Sequence, residues 1–337
     1  MKRVFVFLLL FLSVTEAFSA PPDRPYGKRA DVDEFVREMV RKHGFVDQEL
    51  RHLFARARRE PAILAAIVPP KEPKARSWQL YRARFVSESR IAEGADFARR
   101  NAAALARASA EHGVPEEIIV AIIGVETVYG RQMGVWRVID ALSTLAFDYP
   151  PRADFFRGEL EQFLLYARES GIDVFSLRGS YAGAIGIPQF MPGSYRRFAV
   201  DYDGDGVPNL RLSAADAIGS VANFLAKHGW RRGERIELPA RIAEGNAGGG
   251  NGGEYRKLVE AGVEPKTLLG ELKKYGVETR AELALDTPVA LIELENADAP
   301  NEYRLGLRNF YVLTRYNRSV QYASAVVDLA QEIKARR

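Results

Sequence analysis

The chain has 337 residues, 47% of them apolar, which supplies a sizeable core and room for two domains and excludes a disordered or fibrous protein. It contains no cysteine, so disulfides, a thiol nucleophile, cysteine-ligated metals and a lipid-modified N-terminal cysteine are all excluded. The formal charge is +4, and it falls to about +2 without Lys2 and Arg3, too weak a balance to argue for nucleic acid.

Lys2 and Arg3 precede an apolar run from Val4 to Val14 and a small-residue site, Ala17-Phe-Ser19, which together read as a signal peptide over residues 1–19. The run is shorter than the roughly 20 residues a membrane-spanning helix needs. Export without a membrane or lipid anchor is the expectation. After Pro21, Pro22 and Pro25, the spacing of Val32, Phe35, Val36, Met39 and Val40 predicts a helix ended by Gly44. A second helix fits Asp47 to Ala57, with Leu50, Leu53, Phe54 and Ala57 on one face. Pro69-Pro-Lys-Glu-Pro73 reads as a loop, and Asp96 to Ala110 as one Ala-rich helix closed by Gly113.

Pro115 suits the first turn of the next helix, whose run Ile118-Ile-Val-Ala-Ile-Ile-Gly-Val125 is apolar on every face and must therefore lie inside the protein. Further helices are predicted over Asp140–Ala146, Arg152–Ser170 and Asp216–His228. From Ile236 the pattern changes: Ile236–Leu238, Val289–Leu294 and Tyr303–Leu307 look like short strands, so residues 233–316 read as a small β-containing unit. Val320 to Lys334 reads as a closing helix.

Glu126 is the only acid between Glu117 and Asp140 and follows directly on the apolar helix. Partial desolvation there disfavours the charged carboxylate and raises its pKa, the state a general acid needs near neutral pH. Position alone leaves a second reading open, an acid that ends a helix and pairs with Arg131 or Arg137. The surrounding wording narrows the choice. Gly124-Val-Glu126-Thr-Val-Tyr129-Gly130, then Val138-Ile-Asp140-Ala-Leu142, then Gly179-Ser180-Tyr-Ala-Gly183-Ala-Ile-Gly186-Ile-Pro-Gln189-Phe-Met-Pro192, and finally Arg315-Tyr-Asn317-Arg-Ser-Val-Gln-Tyr322 occur in this order. Together they resemble the membrane-bound lytic murein transglycosylase B family over roughly Tyr81 to the C-terminus.

That resemblance implies a mainly α (α+β) fold. It would comprise an N-terminal helical domain over 28–110, a lysozyme-like catalytic core over 111–232, a small antiparallel β-containing domain over 233–316, and a C-terminal helix over 317–337 packing on the helical domain. It implies a periplasmic lyase acting on peptidoglycan glycan strands at the β-1,4 bond between N-acetylmuramic acid and N-acetylglucosamine, with Glu126 as sole general acid and base and a 1,6-anhydro product. Substrate assistance would replace the second carboxylate that glycosidases normally use. Asp140 and Asp148 look structural, but a lysozyme-like hydrolase stays open, as does a non-catalytic peptidoglycan-binding protein. The resemblance also assigns Ser180, Gln189, Tyr81, Tyr316 and Asn317 to glycan contact or to bracing the glutamate. The family often has tyrosine where this chain has Phe224, so one hydroxyl contact is missing. A monomer is expected, with other cell-wall enzymes as further partners, no nucleic acid and no organic cofactor.

Asp201-Tyr-Asp203-Gly-Asp205-Gly206-Val207 reproduces the first half of an EF-hand loop, with the backbone carbonyl at Val207. Three acids so close repel unless a hard cation lies between them, and a structural Ca²⁺ ion is the expectation. Leu212 stands where the loop's bidentate glutamate belongs, and the resemblance supplies Asp216 as the completing ligand. Gly248 to Gly253 satisfies a GxGxxG string but reads as a flexible loop without the strand spacing of a dinucleotide unit. The four histidines, His43, His52, His112 and His228, form no HExxH pair, and no GxSxG occurs.

Overall fold

A computed structural model describes residues 25–68, 77–243 and 253–337. The expected signal peptide, the Pro69–Pro73 loop and most of the Gly248–Gly253 string lie outside the described residues. The chain divides into two compact units, one ending at Arg58 and one running from Arg59 to Arg337. In the first, helices α1 (Ala30–His43) and α2 (Asp47–Arg56) enclose Val32, Phe35, Val36, Met39, Leu50 and Phe54. The rings of Phe35 and Phe54 meet edge to face at 5.9 Å. Gly44 takes the left-handed conformation (φ 64°) that stops α1, as its position foretold.

The second unit starts with α3 (Pro61–Ala66), α4 (Trp78–Phe85), α5 (Glu88–Arg100) and α6 (Ala102–His112). The single helix expected over 96–110 is therefore two, broken at Asn101. There the side-chain amide donates to the Phe97 carbonyl at 2.8 Å, competing with the backbone ladder. The expected helical domain over 28–110 is also divided, because the boundary between units falls at Arg58 and α5 and α6 pack on the next helix.

That helix, α7 (Glu116–Thr127), is apolar all round because it is enclosed all round: α5, α6, α11 (Ala214–Lys227) and α14 (Val320–Arg336) pack against it. Ile118, Ile119, Val120, Ile122 and Ile123 are buried on its successive faces, and each contributes about 1.5–3 kcal/mol on leaving water. The helix extends through Thr127, so Glu126 lies inside its last turn and not beyond its end. Next come α8 (Val138–Asp148), α9 (Ala153–Glu169) and α10 (Pro192–Phe198), with a two-residue ribbon joining β1 (Trp136–Arg137) to β2 (Arg178–Gly179).

The remaining strands form one antiparallel sheet in the order β4-β6-β7-β3-β5, from β3 (Glu237–Ile242), β4 (Thr267–Leu268), β5 (Val277–Glu278), β6 (Pro288–Leu294) and β7 (Glu302–Gly306). Leu291 pairs with Leu305 and Leu238 with Leu305 across the three central strands. Leu238, Leu291 and Leu305 share a core with Tyr255 and Leu258 of α12 (Tyr255–Glu260). The span expected to be β-containing also holds α13 (Arg308–Tyr316), whose strong amphipathic pattern follows directly on β7. The last helix, α14, packs on α4, α5 and α7.

Candidate active site

The end of α7 turns sharply. Val128 and Tyr129 have φ of 51° and 59°, a conformation unusual for side-chain-bearing residues, and surrounding contacts hold it. The Thr127 hydroxyl donates to the Ile187 carbonyl at 2.7 Å and accepts from the Gly130 N–H at 3.0 Å, tying the helix end to the 180–190 loop. Tyr129 folds back along α7 and donates from its hydroxyl to the Arg90 carbonyl at 2.8 Å, while the Arg90 guanidinium donates to the Gly124 carbonyl. A side chain on Gly124 would strike the Tyr129 ring, its Cβ lying 2.6 Å from the hydroxyl oxygen. The Gly124 and Tyr129 of the Gly124-x-Glu126-x-x-Tyr129 spacing thus record a close approach beside Glu126.

Glu126 is half-buried. Its Oε1 accepts a hydrogen bond of 2.6 Å from the Tyr322 hydroxyl, in the first turn of α14. Burial pushes the carboxyl up to about 7, and the Tyr322 bond, which favours the charged form, only partly opposes it. Neither arginine suggested as a partner reaches it: Arg131 pairs with Glu93, and Arg137 donates to Asp140 at 2.5 Å. Asp148 lies 3.6 Å from Arg59. Both acids considered as a second carboxylate are therefore tied to arginines.

Three tyrosines gather at Glu126. The rings of Tyr316 and Tyr322 stack at 6.4 Å with an interplanar angle of 10°, and burial together with the nearby Glu126 charge pushes both hydroxyls well above their ordinary value. Tyr81, on α4, is pushed up to about 12, first by its own burial and then by the Glu126 charge. Tyr316 donates to the Pro188 carbonyl at 2.6 Å and so joins α13 to the loop carrying Gln189. Gln189 has a φ of 52° and donates from Nε2 to the carbonyls of Gly186 (2.9 Å) and Met133 (3.2 Å). Ser180 occupies a turn in which its Oγ accepts from the Ala184 N–H at 3.0 Å, and Asn317 is exposed with its Oδ1 accepting from the Ser319 N–H. Phe224 lacks the hydroxyl common in the resembling family, and packs its ring on Tyr316 at 4.9 Å.

Tyr322 is the residue sequence reasoning left out of the site. It closed the last of the quoted motifs, but only the turn between α13 and α14 shows that its hydroxyl returns to Glu126. A cavity of about 550 Å³ on the sheet, lined by Leu269, Leu272, Val277 and Leu283, shares no residue with this site.

At the acidic loop, carboxylate oxygens of Asp201, Asp203 and Asp205 lie within 4.8 Å of one another. The loop is laced by its own acids: Asp201 accepts from the N–H groups of Gly204 and Gly206 at 2.7 and 2.8 Å, and Asp205 from that of Val207 at 2.9 Å. Asp216 is fully buried, and its two oxygens accept from the N–H groups of Tyr202 (2.6 Å), Asp203 (3.1 Å) and Asn209 (2.6 Å). The structure thus brings Asp201, Asp203 and Asp205 together and sets Asp216 beneath them as the clamp of the loop backbone. The Arg107 guanidinium lies 3.5 Å from the centre of the Tyr202 ring and holds the loop to α6.

Of the expected site residues, Tyr81 and Tyr316 therefore gather with Tyr322 at one half-buried acid inside a mainly helical fold, whereas Ser180, Gln189 and Asn317 are engaged with loop backbone groups. A family model described as a transglycosylase SLT domain matches residues 27–331. The membrane-bound lytic murein transglycosylase B of Escherichia coli K12 is 40% identical over 317 residues, covering 91% of this chain and 84% of its own. The soluble lytic transglycosylase SltB1 of Pseudomonas aeruginosa superposes with a TM-score of 0.81 at 50% identity, covering 91% of this chain and 99% of that one. The Escherichia coli lytic transglycosylase Slt35 in complex with calcium gives 0.79 at 38% identity, covering 94% of each chain. Fold and site define a lysozyme-like enzyme that acts on peptidoglycan. The chain belongs to the SLT-domain lytic transglycosylases.

Proposed function

We propose that Glu126 is the general acid and base of a lytic transglycosylase that cleaves the β-1,4 bond between N-acetylmuramic acid and N-acetylglucosamine and leaves 1,6-anhydro-muramic acid ends. The observation that carries this reading is a half-buried carboxyl, pushed up to about 7, whose hydrogen-bond partner is a neutral tyrosine hydroxyl and not a cation. A carboxyl so placed keeps its proton near neutral pH and can give it to the leaving glycosidic oxygen. Once ionised, it takes the proton of the sugar's C6 hydroxyl as that oxygen closes on the anomeric carbon, and the 2.6 Å hydroxyl of Tyr322 stabilises the charge held between the two steps. The net reaction consumes no water.

A hydrolase would use a second free carboxylate to activate water, and the engagement of Asp140 and Asp148 with arginines speaks for the lyase. Ser180, Gln189, Tyr81, Tyr316 and Asn317 form the glycan-binding set, with aromatic faces for the apolar side of each pyranose and amide and hydroxyl groups for its polar edge. In this reading residues 111–232 are the catalytic core and 1–19 the export signal of a periplasmic protein. No helix among the described residues is long and apolar enough to cross a membrane.

Asp216, whose oxygens also accept from the loop N–H groups, would be the completing ligand of a Ca²⁺ ion held by Asp201, Asp203, Asp205 and the Val207 carbonyl. Their all-oxygen, multiply charged donor set fits a hard cation. Calcium would neutralise the acidic loop and stabilise the fold, and takes no part in the chemistry. Digestion of purified murein followed by mass analysis of the fragments tests the function. Anhydro-muropeptides are expected; reducing ends would assign hydrolysis, and intact sacculi would overturn the enzymatic assignment.

A further inference from the structure

An ionic cluster with no assigned role joins the sheet to the helices of the site. Arg304 of β7 is only 8% exposed and donates to Asp328 of α14 at 2.7 Å, to Glu237 of β3 at 2.7 Å and to the neighbouring Glu302 at 2.7 Å. Asp328 also accepts from Arg82 of α4 at 2.6 Å, and Arg82 lies 3.9 Å from Glu332. The Trp78 indole donates to Glu302 at 2.9 Å and lies under the Arg304 guanidinium, while its backbone N–H donates to the Glu295 carbonyl at 2.7 Å. Clefts of about 290 and 380 Å³ adjoin Glu237. One Glu237 oxygen is buried without a hydrogen-bond partner, and its carboxyl is pushed up to about 7 by burial even with Arg304 beside it.

The geometry has a direct bearing on Glu126. Asp328 lies six residues after Tyr322 on one helix, about 9 Å along its axis. Arg82 is the neighbour of Tyr81, whose ring stacks on Trp78 at 6.4 Å. One arginine of the sheet therefore holds the helix that carries the Glu126 partner and, through Asp328 and Trp78, the helix that carries Tyr81. We infer that Arg304 is a positioning residue for the Glu126 site, and that the β-sheet unit serves catalysis by holding α14 and α4 in register around the acid. This rests on the role proposed for Glu126.

The test is the pH profile of kcat/KM on murein for Arg304→Lys, which keeps a cation but loses the planar fork that spans Asp328, Glu237 and Glu302. Loosening α14 weakens the Tyr322 bond that favours ionised Glu126. The alkaline limb should therefore move up by about half a pH unit or more while kcat falls roughly tenfold. Arg241→Lys, altering the exposed pair with Glu278 on the same sheet, should leave the profile unmoved. Asp328→Asn provides the same readout from the helix side if Arg304→Lys fails to fold. A lowered melting temperature with the limb and kcat unchanged would overturn the proposal. Activity surviving in Glu126→Gln would instead overturn the role of Glu126 itself, so the two failures are distinguishable.

Discussion

The Glu126 site and the Asp201–Asp205 loop use the same functional group in opposite surroundings. At the end of α7 a single carboxyl sits among tyrosine rings, where burial makes its charge costly and its proton is kept. At the loop three carboxylates crowd together where solvent reaches Asp203 and Asp205, backbone N–H groups hold them, and the Ser213 hydroxyl keeps the Asp203 carboxyl below its usual range. The contrast teaches that an acid's chemistry here is set by what surrounds it: an isolated, half-buried acid among tyrosines keeps its proton to higher pH, whereas clustered acids open to solvent stay charged on backbone N–H groups and suit the cation proposed for them.

Breaking the first side of that contrast gives the largest expected effect. Glu126→Gln keeps the shape and removes the transferable proton, so turnover of murein should fall by about 10³-fold or more while binding to sacculi persists. Tyr322→Phe removes the 2.6 Å hydrogen bond to the carboxylate. Its kcat should fall roughly tenfold, and the alkaline limb of its kcat/KM profile should move upward, because the lost bond favoured the charged form.

Stability gives a smaller, signed effect. The Glu126 carboxyl is raised from its ordinary 4.5 to about 7 on folding. Above pH 4.5 the unfolded chain releases a proton that the folded chain still holds, so stability declines as pH rises from there to about 7. Glu126→Gln removes that penalty, which is on the order of 3 kcal/mol at most, and should melt higher than the parent at pH 8 and equally at pH 4. On the other side of the contrast, millimolar Ca²⁺ should raise the melting temperature by a few degrees through binding to the folded state, and Asp203→Ala should abolish the response. Equal melting curves with Ca²⁺ and with chelator would sink the metal site.

How much of this was legible beforehand follows the range of the interactions involved. Burial of α7 could be read from Ile118–Val125, because a helix apolar on every face has nowhere else to go. The strands at 288–294 and 302–306 could be read from short apolar stretches carrying Val289, Ile292 and Tyr303. Local competition was harder to see: Asn101 breaks a helix that composition alone would continue, and α13 was hidden behind the strand before it. At the site, Glu126 was nameable from its motif, whereas its Tyr322 partner is 196 residues away and depends on how α14 docks. The Arg304 cluster, drawn from α4, β3, β7 and α14, left no local trace in the sequence.

The most direct test is a carboxyl ¹³C titration of Glu126, assigned by difference against Glu126→Gln in the intact protein. A midpoint near pH 7 that moves upward in Tyr322→Phe is expected. A midpoint near 4.5, unmoved by that substitution, would mean that the side chain is ionised at working pH and has no proton to give.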